Sequence, residues 1–246
     1  MGNRIVNFVP IKQGIYEQSS TAKGDIGSVL EFEDGRKFVY ALNGTDTLVP
    51  GLFVQGPVEN AYDESVVLAS NIAIGDTTVT VTVNALRTYT ANELKDGWVQ
   101  IEDVAAGVIG HIRKIKSHPA AAASASMVIT VYDAFTDTAT AGTDTLNLLE
   151  NPYNGVMENN ATTDGPLLGV SPIDVTAAYY FWLQVAGPCS GISGENTIVV
   201  GNELATDALA GTLRIANSTE AERVGLAMQS QDTSGNAVIF WLMVGR

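Results

Sequence analysis

Thr78-Val79-Thr80-Val81-Thr82-Val83 alternates polar and apolar residues without a break. Successive side chains of an extended chain point to opposite faces, so the three valines share one side. A period of two built from β-branched residues marks a strand with one covered face.

Working outward, the same texture recurs. Trp98 to Ile101, Met127 to Tyr132, Tyr179 to Val185, Thr197 to Val200, Thr212 to Ala216 and Ala237 to Met243 read as strands. Turn signals separate them: Asp34-Gly35, Asn43-Gly44, Asp96-Gly97, Asn154-Gly155, Asp164-Gly165 and Ser234-Gly235. Asn, Asp and Gly tolerate the positive φ that tight turns require. Helix signals are thin. Thr90 to Lys95 is long enough for one turn, and Thr219 to Glu222 fits a capping box with no amphipathic run behind it. The expected class is all-β, with one or two small β-barrel or sandwich modules and an extended N-terminal arm.

Composition divides the chain into an arm at 1–26, a β-rich domain at 27–150, a turn-rich linker at 151–166 and a second β-rich domain at 167–246. The arm is polar and lacks alternation, but carries Ile5, Val6, Phe8, Val9 and Ile15. Pro119 to Ser126 is an Ala/Ser tract expected to form a hairpin loop, with a short helix as the alternative. Trp98-Val99-Gln100-Ile101 echoes Trp182-Leu183-Gln184-Val185, which fits either duplication or ordinary strand preference.

The 246 residues include 46% hydrophobic and 16% charged side chains, a globular composition. The net charge is -14, and no Lys or Arg occurs between Lys116 and Arg214. Such a chain repels phosphate backbones and anionic lipid, which disfavours direct nucleic-acid and membrane binding. The start, Met-Gly-Asn-Arg-Ile-Val, has no secretory pattern, and no run reaches the ~18 apolar residues of a membrane helix. The single Cys189 makes no intrachain disulfide.

Catalytic and cofactor motifs are missing: no P-loop, no dinucleotide fingerprint, no HExxH and no Cys pair. No catalytic residue, cofactor or metal is expected. Glu31, Glu33, Asp63, Glu64, Glu102 and Asp103 supply carboxylates. A glycosidase, though, needs a pair facing each other across a sugar cleft. His111-Ile112-Arg113-Lys114-Ile115-Lys116-Ser117-His118 is locally basic. It reads as a strand edge or as a docking patch for an acidic neighbour, with His111, Arg113, Lys114 and Lys116 as contact candidates. The run Val238 to Val244 is apolar throughout, so both faces should be covered, by a second sheet or by another subunit. Phe240 and Trp241 are interface candidates there, and Ile5, Phe8, Val9 and Ile15 are the candidates in the arm.

Several segments, taken in order, resemble a family of tailed-bacteriophage virion proteins of the capsid decoration, or cement, type. They are Ile26-Gly27-Ser28-Val29, Glu33 to Ala41, Leu48-Val49-Pro50-Gly51-Leu52, Gly97 to Ile101, Ile112 to His118, Leu148 to Val156, Tyr180 to Pro188 and Val224 to Ala227. The resemblance runs from about residue 16 onward. It implies an all-β fold, homotrimeric assembly, binding to the major capsid protein on the outer capsid surface, and no catalytic residues. Synthesis in the host bacterial cytoplasm follows. A tail-associated or receptor-recognition module that binds glycans is the alternative, favoured by a saccharide cleft beside Tyr179 to Trp182.

Overall fold

The computed structural model describes residues 11–102, 111–159, 165–207, 211–217 and 223–245. The chain is all-β. Among the described residues the one helical element is a 3-10 turn at Ala61–Asp63. Thr90 to Lys95 forms turns, and 219–222 lies outside the described residues.

Two compact units emerge, and they divide the chain differently from its composition. One is Val58–Asn151; the other joins Met1–Pro57 to Pro152–Arg246. The expected boundary at residue 27 and the linker at 151–166 are both corrected. The reason is long-range pairing. Strand β2 (Lys37–Asn43) pairs in parallel with β10 (Asn154–Glu158) and antiparallel with β12 (Tyr180–Ile192). The supposed linker is thus partly a sheet strand, a partnership that local pattern does not reveal.

Unit Val58–Asn151 is a closed barrel of six strands. These are β4 (Val66–Leu68), β5 (Thr78–Thr82), β6 (Trp98–Glu102), β7 (Ile112–Ser117), β8 (Ser126–Val131) and β9 (Thr145–Leu149). They close in the order β4-β5-β8-β7-β6-β9. Val79, Val81 and Val83 face the interior, as their alternation dictates, beside Val99, Ile101, Ile115, Met127, Ile129 and Leu146. Burial of each such side chain contributes roughly 1.5–3 kcal/mol.

The other unit adds β1 (Val29–Glu31), β3 (Phe53–Gln55), β11 (Leu167–Val170), β13 (Glu203–Thr206), β14 (Leu213–Ile215), β15 (Gly225–Ala227) and β16 (Ala237–Leu242). The pairings β2-β10-β3-β11-β12 return to β2 and close a five-strand ring. A second ring runs β12-β16-β15-β13-β14 and closes through a parallel bridge between Ser193 and Leu213. Strand β12 serves both, pairing with β2 through its first half and with β16 from Gly187 onward. Gly187, at φ 86°, marks the change of partner; a Cβ there would sit 2.5 Å from the Gly35 carbonyl oxygen.

One local device recurs across the rings. Four bridges, Leu48–Val175, Ile72–Ala139, Tyr89–Ala121 and Ile198–Gln231, each exchange two backbone hydrogen bonds of 2.7–3.1 Å. Three residues beyond seven of these bridge residues stands one with positive φ: Gly51, Gly75, Asn92, Ser124, Gly142, Ala178 and Gly201. Beyond Gln231 it is Gly235, one place later. Each caps an i to i+3 hydrogen bond, such as Leu52 N–H to Val49 O and Asp76 N–H to Ala73 O. Positive φ at the third position of such a turn is the type II signature. The Ala/Ser tract at 119–126 is one of these turns, with Ala121 as the bridge residue.

The arm's described part is not free. Ile11 and Ile15 pack on Phe38, Tyr40 and Trp182. The Trp182 indole N–H donates to the Gln13 carbonyl at 2.9 Å, and the Tyr40 hydroxyl donates to Gln13 Oε1 at 2.8 Å. Ile15 is therefore an intrachain packing residue, a correction to its reading as an interface candidate. Ile5, Phe8 and Val9 lie outside the described residues. The Trp echo holds in orientation: Val99 and Ile101, like Leu183 and Val185, face inward. Trp98 and Trp182 fall on the opposite face, and the arm covers the second.

Candidate interaction surface

Strand β7 brings most of the basic segment to the barrel wall. Ile112, Lys114 and Lys116 are exposed, whereas Ile115 faces the core. Register sets their neighbours. Lys114 lies opposite Trp98, and Trp98 lies opposite Leu149. On the other side the Tyr132 N–H donates to the Lys114 carbonyl. A row Tyr132–Lys114–Trp98–Leu149 therefore runs from the residue after β8 across β7 and β6 to β9. Tyr132 is 40% exposed, Leu149 50% and Ile112, beside the row, 52%.

The charges on this face are unequal in freedom. Lys114 Nζ sits 3.0 Å from Asp96 Oδ1 and 5.7 Å from the Tyr132 ring centre. Asp96 is itself buried, so Lys114 is held upright over it. Arg113 is committed inward: Nε donates to the Ala134 carbonyl and Nη2 to Thr136 Oγ1, both at 2.8 Å, with the guanidinium beside Phe135. It anchors the 134–136 loop, and its reading as a contact residue is corrected. His111 is half-buried, with Nδ1 3.4 Å from Thr136 Oγ1. His118 is buried. Its Nε2 accepts the Leu94 N–H at 2.9 Å, which makes Nδ1 the donor to the Pro119 carbonyl at 2.8 Å. Both ring nitrogens are thereby used within the fold.

The carboxylates that converge in this unit do so around an arginine. Asp63, Glu93 and Glu150 all reach Arg87, which also stacks 4.3 Å over Tyr89. Burial, followed by the Glu93 charge, pushes the Glu150 carboxyl above its ordinary range. Glu93 is lowered on balance: burial raises it, but hydrogen bonds from Thr90 and the Arg87 charge outweigh that. The guanidinium fills the space between the acids. The cluster is a clasp that joins the 61–63 turn, the 84–97 loop and the end of β9. Asp63 stood among the sequence's carboxylates, but nothing local pointed to Arg87 as its partner.

Phe240 and Trp241 part company in the other unit. Burial along β16 alternates cleanly, so the chain's own fold covers one face and no second sheet of the chain covers the other. Both sides of the strand are apolar, and the chain itself covers only one. Phe240 is fully buried and packs on Phe53 at 5.9 Å, so it is a core residue. Trp241 is 41% exposed. Beside it a groove of about 440 Å³ is lined by Tyr16, Arg36, Pro50, Pro172, Pro188 and Ile192, among others. Trp182 is buried beneath Gln13, so no open aromatic platform occurs at Tyr179 to Trp182.

Comparisons of the chain with protein-family models, with curated proteins and with solved structures each found no match.

Proposed function

We propose that this chain is a non-enzymatic structural protein of a tailed-phage virion that binds the outer capsid lattice and cements the head. The observation that carries this reading is the row Tyr132–Lys114–Trp98–Leu149, exposed apart from the half-buried Trp98, with Lys116 and Ile112 beside it. Aromatic and aliphatic side chains interleaved with lysines, on a rigid barrel of an acidic protein, suit an acidic protein partner such as a capsid lattice. The ordered resemblance to decoration proteins supports the same reading. So does the net charge of -14, which opposes placement against packaged DNA.

The mechanism is linkage. A protein that binds the assembled lattice and not its separated subunits stabilises the lattice by mass action. Repetition over a symmetric shell adds multivalency. The test pairs cryo-imaging of whole virions with thermal release of DNA from particles with and without the protein. Density on the outer head and earlier release without the protein are expected. Location only in the tail, or unchanged release, overturns the reading. Reversing both lysines, Lys114→Glu with Lys116→Glu, should weaken lattice binding and flatten its salt dependence.

A further inference from the structure

Strand β16 presents one side of the second ring to solvent, and its neighbours extend that side into a sheet face. Trp241 lies opposite Leu226 on β15, and the Met228 N–H donates to the Ile239 carbonyl. Trp241 is 41% exposed, Leu226 40%, Met228 48% and Ile239 49%. Val199 and Val200 continue the face, at 48% and 60%, where the Val200 N–H donates to Ser230 Oγ. Together these six leave on the order of 500 Å² of apolar surface open, more than scattered exposed residues give.

We infer that this face is the surface through which the chain associates with a second copy of itself. Three observations select that occupant. The first is area: a stable interface takes roughly 800 Å² from each partner, a little over half of it apolar, which this face supplies. The second is charge. Copies carrying -14 each repel one another, so they meet most readily where acids are absent or paired. None of the six residues is charged, and the charged groups at the rim include two ion pairs, Glu203 with Arg223 and Asp34 with Arg36. A strongly basic or acidic partner finds no unbalanced charge in the patch to recognise. The third is geometry. An antiparallel sheet with large apolar residues at alternate positions is one half of a face-to-face sheet packing, and the same face on a second copy provides the other half.

This inference stands apart from lattice binding, which is assigned to the β7 face. The experiment is sedimentation equilibrium of the purified full chain across a concentration series reaching ~100 μM, a range that detects dissociation constants of micromolar order. The wild-type chain should assemble, with higher salt leaving assembly intact. Trp241→Ser with Leu226→Ser should weaken it by at least about tenfold. Met228→Ser with Ile239→Thr, which spares the tryptophan, should do the same and covers a failure of the first variant to fold. Lys114→Glu with Lys116→Glu should assemble as the wild type does, which separates this surface from the lattice-binding one. A wild-type chain that stays monomeric throughout, or an assembly that both apolar-face variants leave unchanged, overturns the inference.

Discussion

The guanidinium of Arg87 holds the carboxylate of Asp63 with two hydrogen bonds, Nε to Oδ1 at 3.1 Å and Nη2 to Oδ2 at 3.2 Å. Both side chains are largely buried, at 13% and 5% exposure. Arg87→Met removes the cation and leaves the buried Asp63 charge beside Glu93 and Glu150 with no counter-ion, the Tyr89 hydroxyl remaining as a donor to it. Stranding a buried charge typically costs ~3–5 kcal/mol. Urea denaturation should show a loss of that order; a change under ~1 kcal/mol would mean the clasp is ornamental.

The same clasp sets a pH dependence. Glu150 is raised in the folded protein, so folding favours its protonated form. Its contribution to stability improves as pH falls through the raised value and is complete below the ordinary glutamate value. Glu93 is lowered, so its contribution is present above the ordinary value and is lost as pH falls through the folded one. The stability difference between wild type and Glu150→Gln should therefore shift in favour of the wild type on mild acidification. For Glu93→Gln the advantage of the wild type should shrink as pH falls through the lowered folded value. Equilibrium unfolding from pH 7 down past the lowered Glu93 value, done for all three proteins, checks both signs.

Gln13 is the hub of the arm's attachment. Its carbonyl accepts from the Trp182 indole and its side chain accepts from the Tyr40 hydroxyl. Removing residues 1–16 should uncover Trp182 and shift tryptophan emission to the red. Gln13→Ala should cost ~1–3 kcal/mol, because it strands the buried Tyr40 hydroxyl without its acceptor. An unchanged emission spectrum after truncation would count against the docked arm.

Ala178 occupies a turn position that glycine fills at Gly51, Gly75, Gly142 and Gly201. Its φ is 59°, a left-handed conformation that crowds Cβ against the next carbonyl. Ala178→Gly removes that crowding and should raise stability by up to ~1 kcal/mol, whereas glycine introduced at an ordinary strand site lowers it. Thermal unfolding of the variant decides between gain and loss.

Cys189 is 7% exposed, and burial pushes its thiol up to about 12. The thiolate is the reactive form, so the folded protein should resist thiol reagents at pH 8 and react in urea. Prompt stoichiometric labelling of the native protein would contradict this packing.

Local sequence determined strands such as β5, β6, β8, β12 and β16, whereas Thr197 to Val200, read as a strand, holds only the Ile198 bridge and a turn. Alternation at Thr78 to Val83 reports which side of a chain is covered, and that survives any tertiary arrangement because it is a property of extended backbone. Turn glycines such as Gly35 and Gly235 were legible because their positive φ suits glycine, whereas Gly155, also read as a turn, sits at a register shift inside β10. The bridge-and-turn device was present too, as Leu48 to Gly51, Ile72 to Gly75 and Ile198 to Gly201, but glycine is replaced by Asn92, Ser124 and Ala178 in three copies. The common feature is therefore a backbone angle and not a residue type. What only the tertiary structure decided is which strands meet. Pairing of β2 with β10 and β12 spans more than a hundred residues, and backbone hydrogen bonds carry no label naming a distant partner. That pairing set the two units apart and placed Tyr40 beside Trp182, where Ile15 packs. Pairing of β16 with β12 and β15 left Trp241 facing water while Phe240, its equally apolar neighbour, fills the core.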